Sequence, residues 1–474
     1  MKLALVNILD VSEVSPMGLA YIATYLREHM GFENTKIIDI NAENVWKGIK
    51  RYSPDVVGIS SMTITYSKAM ELAKRIKQEL NIPCLIGGPH ISTLPSSLSD
   101  DFDLGIVGEG EQTMLELIQL YEKYGEFQKE KLREIKGLVY HNNGKVSVTE
   151  KRDLVLPLDK IPVPDRSFLN PLYFRDKGIF FTDRTGREAH VLTARGCPYR
   201  CVFCSTSVLW QKVRYHSVEH VCREVNELID KYKVNAIQIW DDIFTINKKR
   251  LREIADAFKK EGINEKVEFS CQPRANLIDD ELCEILKEMG VIAVSFGFES
   301  GSDKILNYLK AGSVTVEQNK TAIKTCKKHG LKVFGSFMFG SPGETSEDIG
   351  QTSDLIDFMK DNDVDLVWAF ISTPFPATEF WAVAKSRGKV NDDNMDWDIL
   401  SHSYVENQLL LDDSVDKAEF KRLFEEAKQR IYVYFERRYW HYSIGWMLKQ
   451  GIANPKRGLE VLLKILKIKT GFKG

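Results

Sequence analysis

Three cysteines stand within eight residues in the run Ala194-Arg195-Gly196-Cys197-Pro198-Tyr199-Arg200-Cys201-Val202-Phe203-Cys204, a C-x3-C-x2-C spacing. Thiolates so close together ligate metal, and a [4Fe–4S] cluster is normally held by four of them. Three on one tight loop leave one iron without a protein ligand, open to a substrate or cofactor. A structural zinc site would supply four ligands instead. The other five cysteines, Cys84, Cys222, Cys271, Cys283 and Cys326, are isolated and read as small core residues, so no second cluster is expected. Clustered thiols of this kind belong to a reducing compartment, which points to the cytoplasm.

The loop must be positioned by its neighbours. Short apolar runs at Leu3–Ile8, Lys36–Ile40, Val56–Ser60, Pro83–Gly87 and Leu104–Val107 alternate with amphipathic stretches such as Leu19–His29, Ser67–Glu79 and Gln112–Tyr121. Five strands joined by crossover helices predict a Rossmann-like, doubly wound parallel α/β sheet over residues 1–130. Ligands of such sheets sit at the carboxyl ends of the strands. Small residues gather there: Pro16, Met17 and Gly18; Ser60, Ser61 and Thr63; Gly87, Gly88, Pro89 and His90; Gly108, Glu109 and Gly110. They let backbone approach a large flat or phosphate-bearing ligand. Residues 131–185 read as a polar linker with a hairpin around Asn142-Asn143-Gly144.

A second β/α series follows over 186–388, with strands expected at His190–Thr193, Ala236–Trp240, Val267–Cys271, Ile292–Phe296, Lys332–Met338 and Leu366–Ile371. Six units are two short of a closed eight-stranded barrel, so an open (β/α)6 barrel is expected, with the cysteine loop at the carboxyl end of its first strand. Residues 389–474 read as helical.

Composition agrees with a soluble globular protein, with 43% hydrophobic and 28% charged residues, and neither a membrane span nor a secretory leader is expected. The net charge of −2 conceals nine Lys/Arg and one acid from Arg437 onward. In Leu459–Lys469 the leucines 459, 462, 463 and 466 oppose Glu460, Lys464 and Lys467. This segment reads first as a helix packed on the barrel, and second as a peripheral contact with anionic lipid. No nucleic-acid partner is expected.

With these residues on the page, the second series resembles the radical S-adenosylmethionine (SAM) superfamily over roughly 190–385. The resemblance implies that Cys197, Cys201 and Cys204 hold the cluster and that its open iron chelates the methionine end of SAM. It also implies SAM contacts from Phe203, from Asp241 and Asp242, from Gln272 and Arg274, and from Glu299. The Gly340-Ser341-Pro342-Gly343-Glu344 segment resembles the family's glycine-rich adenine stretch, which puts Gly340, Pro342 and Gly343 in the same set. An electron donor of the flavodoxin or ferredoxin type is the implied partner.

The Rossmann-like sheet ahead of this barrel resembles the cobalamin-binding branch. The segments Pro16-Met17-Gly18-Leu19-Ala20, Gly87-Gly88-Pro89-His90 and Val107-Gly108-Glu109-Gly110-Glu111 carry it, with Pro164-Asp165-Arg166 and Thr373-Pro374-Phe375-Pro376-Ala377-Thr378. Ala377 departs from the glycine common there. Asp10-Val11-Ser12-Glu13-Val14-Ser15 replaces the Asp-x-His-x-x-Gly of histidine-ligated cobalamin domains, so a cobalamin without a protein histidine on its lower face is expected. The branch implies methylation of an unactivated carbon: a 5′-deoxyadenosyl radical abstracts hydrogen and methylcobalamin delivers methyl. The alternatives are a non-methylating radical reaction (cyclisation, carbon–carbon coupling or oxidative ring formation) and a non-catalytic sensor. The substrate is not legible. The residue that supplies or accepts a hydrogen atom is not legible either; Tyr199 and Tyr215 are examples of tyrosines expected near the barrel mouth.

Overall fold

The computed structural model describes residues 1–11, 14–174, 176–177, 186–210, 212–392, 395–400 and 410–435. Its first sheet contains β1 (Leu3–Asn7), β2 (Thr35–Asp39), β3 (Val56–Ser60), β4 (Cys84–Gly87), β5 (Leu104–Ile106), β6 (Leu138–Asn142) and β7 (Lys145–Val148), in the order β2-β1-β3-β4-β5-β6-β7. β1 to β5 are parallel. The hairpin expected at Asn143-Gly144 forms, with both residues at positive φ (51° and 74°). It pairs antiparallel on β5 and extends the first sheet to residue 148.

Buried parallel strands read as continuous apolar runs, and β1 is buried at all five positions. The helices Met17–Met30 and Glu111–Tyr124 cover one face and Tyr66–Glu79 lies between β3 and β4. Gly31 and Gly125 end the first two in the left-handed conformation.

The second sheet is built from β8 (Asp176–Lys177), β9 (Gly186–Val191), β12 (Val234–Ile239), β13 (Glu268–Cys271), β14 (Val291–Glu299), β15 (Lys332–Phe339) and β16 (Leu366–Ile371), in the order β16-β15-β14-β13-β12-β9-β8. Six strands run parallel, and β8 closes one edge antiparallel. Between β9 and β12 a two-residue ladder pairs β10 (Ala194–Arg195) with β11 (Arg214–Tyr215). The result is the open partial barrel. β9 begins four residues before the expected His190, because Gly186 pairs with β8 and Arg187-Glu188 pair with β12 despite their weak strand propensity. β14 runs past Phe296 to Glu299 through a register shift opposite β15.

Side-chain caps set the helix starts: Ser217 accepts from the His220 N–H, Asn247 from Arg250, Thr315 from Gln318 and Thr345 from Asp348. In the C-terminal region the helix Lys417–Tyr434 packs on Ser346–Asp361 and β16. The basic segment expected at 459–469 lies outside the described residues. Among the described residues no helix is long and apolar enough to cross a membrane.

Gly88 sets how β4 meets the loop after β3. It has φ +102°, and a Cβ there would stand 2.6 Å from the Ser61 carbonyl oxygen. Gly88→Ala is therefore expected to lower stability by about 1–3 kcal/mol, read as a shifted urea midpoint.

Candidate active site

The cysteine loop is an excursion closed at its base by β10 and β11. Gly196 opens it at φ +95°, and an added Cβ would lie 2.4 Å from the Lys212 carbonyl oxygen, so only glycine fits. The Gly196 N–H donates to Asp242 Oδ2 at 2.8 Å and the Cys197 N–H to the Trp210 carbonyl at 3.0 Å. Further along, Val202 bridges both halves of the barrel rim: its N–H donates to Leu309 O (3.1 Å) and its carbonyl accepts from Glu379 (3.0 Å).

All three cysteines are free and half-buried. Burial pushes the Cys197 thiol above its ordinary value, and charge on Cys201 and Cys204 pushes it further. A thiol held neutral in this way suits a cationic iron centre, which reverses that preference. Arg274 Nη1 donates to Cys201 Sγ at 3.4 Å. Its guanidinium lies 3.9 Å over the Tyr199 ring, and Nη2 bonds Ser313.

The strand-end residues divide. Asp241 is buried and turned back toward β9, accepting from the Thr193 N–H (2.6 Å), Thr193 Oγ1 (2.5 Å) and the Ala194 N–H (3.1 Å), with burial raising its pKa to about 6. Asp242 is exposed and faces the loop base. Gln272 is also exposed. Glu299 is held at φ +63°, in the left-handed region that residues other than glycine rarely adopt. It pairs with Lys310 Nζ at 2.6 Å, and that nitrogen lies 5.3 Å over the Phe203 ring. Lys310 carries no sequence signal; only the folded chain brings it to Glu299 and Phe203.

Gly340 and Gly343 flank Pro342, both at positive φ (79° and 75°). Their N–H groups donate to Glu344 Oε2 and Asp412 Oδ2, each at 2.5 Å. Glu344 is buried with Oε1 unpartnered, and burial raises its pKa to about 8 from 4.5. A folded-state pKa raised in this way keeps its stability contribution below the unfolded value and loses it as pH climbs through the folded one. Calorimetry of Glu344→Gln against the native chain is expected to favour the variant progressively between pH 4.5 and about 8. The slope is at most about 1.4 kcal/mol per pH unit.

Across from the loop base lies an open cleft with about 1040 Å³ of space not filled by protein atoms, its solvent mouth included. The first sheet supplies most of its wall, including Gly18, Gly58, Ser60, Gly87, Gly88, Gly108, Glu109 and Gly110. The barrel supplies Leu192, Arg195, Trp210 and Asp242. At Gly18, Gly87 and Gly108 a Cβ would project into open space, so these glycines leave room for a ligand. That cradle fits a large flat group such as a corrinoid.

Glu109 is an ion-pair partner of two arginines, 3.1 Å from Arg195 and 2.6 Å from Arg214. Pro16, Met17, Ser61, Thr63, Pro89 and His90 are not among the lining residues. Met17 is core, while Thr63 Oγ1 and Ser97 Oγ hold the two His90 nitrogens at 3.2 and 3.0 Å. The His90 ring is fully buried against Tyr66 and Trp397, with burial lowering its pKa to about 3. The short helix Pro89–Thr93 turns it inward.

Among the described residues, one set of metal-ligating side chains has its ligand atoms within 4.8 Å of one another, Asp159 with His216 and His220. The two rings stack at 3.9 Å and 20°. Near-parallel planes give one ion no position in the plane of both rings, so this set reads as His216 hydrogen-bonded to Asp159 at 3.0 Å with the His220 ring stacked on it.

Comparison with known proteins matches this geometry. Residues 5–118 match the B12 binding domain and residues 191–356 the Radical SAM superfamily. An uncharacterized methyltransferase of Pyrococcus horikoshii is 37% identical over 379 residues, covering 78% of each chain. The chain belongs to the cobalamin-binding branch of the radical SAM superfamily. Within that branch it is 28% identical to an anaerobic magnesium-protoporphyrin IX monomethyl ester cyclase of Rubrivivax gelatinosus, over 80% of this chain and 67% of the cyclase. The solved radical SAM methyltransferase TsrM of Kitasatospora setae, with cobalamin and a [4Fe–4S] cluster bound, superposes with a TM-score of 0.65 at 20% identity, covering 81% of this chain and 76% of that one. At that identity the likeness carries the fold: a B12-type sheet followed by an open radical SAM barrel.

Proposed function

We propose that this radical SAM enzyme methylates an unactivated carbon of its substrate, using a [4Fe–4S] cluster, SAM and cobalamin. The observation that carries this reading is the single cavity shared by the glycine-lined ends of the first sheet and the base of the cysteine loop. When bound, the cluster with SAM supplies hydrogen-atom abstraction and the corrinoid supplies a methyl group. Cys197, Cys201 and Cys204 hold the cluster. Asp242, Gln272 and Arg274 present polar groups to SAM, with Phe203 and the Glu299–Lys310 pair as the adjoining wall. Gly340, Pro342 and Gly343 hold backbone close at the adenine side. Gly18, Ser60, Gly87, Gly88, Gly108 and Gly110 receive the corrinoid. The wall residues keep both groups beside one space, which is the proximity a two-cofactor reaction requires. Single electrons come from a flavodoxin- or ferredoxin-type donor.

The relationship to a cyclase favours a second reading in which the same site runs a non-methylating radical reaction. Products separate the two. Cluster-loaded protein given hydroxocobalamin, a chemical reductant and SAM is expected to bind a single corrinoid per chain, with a raised melting temperature. It is expected to release S-adenosylhomocysteine as well as 5′-deoxyadenosine. Deoxyadenosine alone would favour the second reading.

A further inference from the structure

Arg195, two residues before the first cysteine, joins the halves of the molecule. Its Nη1 donates to Glu109 at 3.1 Å and its Nη2 to Glu111 at 2.7 Å, both in the segment that follows β5. Its cross-strand partner Arg214 donates to both oxygens of Glu109, at 2.6 and 2.9 Å. Two guanidinium groups thus balance two carboxylates in a buried network, with side-chain exposures of 16%, 1%, 8% and 6% for Arg195, Arg214, Glu109 and Glu111. The Arg195 guanidinium also lies 4.8 Å over the Tyr21 ring.

The three residues that open the cysteine loop are all anchored to residues lining the cavity: Arg195 to Glu109 and Glu111, Gly196 to Asp242, and Cys197 to Trp210. Arg195 itself lines it. Whatever fills the cavity therefore touches the side chain that fixes the loop.

We propose that Arg195 is a positioning residue that couples corrinoid occupancy of the cavity to SAM binding at the cysteine loop, so that each ligand tightens the other. The inference rests on the cavity being the corrinoid site. A ligand there displaces water from around the ion network, and ion pairs strengthen as the local dielectric falls. The loop is then ordered once for both ligands instead of separately for each. Coupling of this kind is reciprocal by linkage.

The test uses the full chain with its cluster reconstituted anaerobically and left oxidised, so that SAM binds without turnover. Equilibrium dialysis of SAM is run with and without saturating hydroxocobalamin. SAM is expected to bind at least about fivefold more tightly when the corrinoid is present, with the same factor for hydroxocobalamin when SAM is present. Arg195→Met and Glu111→Gln are expected to bring both ratios close to one while iron content and the cluster absorbance persist. Arg195→Lys, which keeps the charge but loses the fork, should fall between.

A ratio of one in the native chain overturns the inference. So does an unchanged ratio in whichever of the two disrupting variants retains cluster and melting temperature. Failure of the native chain to bind hydroxocobalamin at all is a different result: it removes the corrinoid reading of the cavity, and this inference with it.

Discussion

Alanine at any one of Cys197, Cys201 or Cys204 is expected to abolish SAM cleavage, with 5′-deoxyadenosine formation down about a thousandfold or more. On the proposed ligation each cysteine would supply one of three protein ligands, so its loss would leave too few thiolates to hold the cluster. The fold should not follow. The thiols are half-buried on a loop fixed by backbone bonds from Gly196, Cys197 and Val202, none of which uses a sulfur. Stability is expected to change by less than about 0.5 kcal/mol in the apo protein. Iron analysis and electron paramagnetic resonance of the reduced protein check the first expectation, and circular dichroism melts the second. Cys84 provides a contrast: it is buried in β4, and its replacement should affect packing without affecting iron.

Gly87→Leu is expected to weaken hydroxocobalamin binding about 100-fold, equivalent to about 2.7 kcal/mol. Gly87 lines the cavity, and a Cβ there meets no heavy atom within 4 Å. A leucine side chain therefore grows into ligand space instead of into protein, and folding should change by no more than about 1 kcal/mol. Gly88 beside it behaves in the opposite way, because its Cβ would strike the Ser61 carbonyl. Both glycines line the cavity, but substitution at Gly87 is expected to be felt by the ligand and substitution at Gly88 by the chain as well. Spectrophotometric titration of hydroxocobalamin into both variants reads the difference directly.

Much of this site was legible because its key elements are local. The C-x3-C-x2-C run, the strand-end glycines and the apolar runs of β1 to β5 each occupy a few consecutive residues, and strand periodicity places them in space. What escaped was set by distance along the chain. Glu109 reads as a ligand contact in its Gly-Glu-Gly context, yet its arginine partners lie 86 and 105 residues away. Asp241 and Asp242 look interchangeable as a pair. Only the position of Thr193 shows that one carboxylate is taken up by the Thr193 and Ala194 N–H groups and the Thr193 hydroxyl while the other faces the loop. His90 sits at a strand end as expected, but one short helical turn carries its ring into the core. The pairing of the 138–148 hairpin onto β5 was equally illegible, since Asn-Gly specifies a turn and not the edge on which it docks.

One hydrophobic cluster runs without interruption from Met17, Ala20 and Tyr21, through Leu158, Ile161 and Leu169, to Val191, Val221 and Val225. A second joins Tyr66, Ile91 and Phe102 to Leu309, Phe380 and Trp397. The sheet and the barrel are consequently poor candidates for exchange as cassettes. Grafting the first 148 residues of a relative onto this barrel would set mismatched apolar faces against each other along two seams, and either half made alone would carry those faces bare into water. Divergence in this lineage is then easiest in the barrel's loops, where a new substrate can be admitted without disturbing the seam.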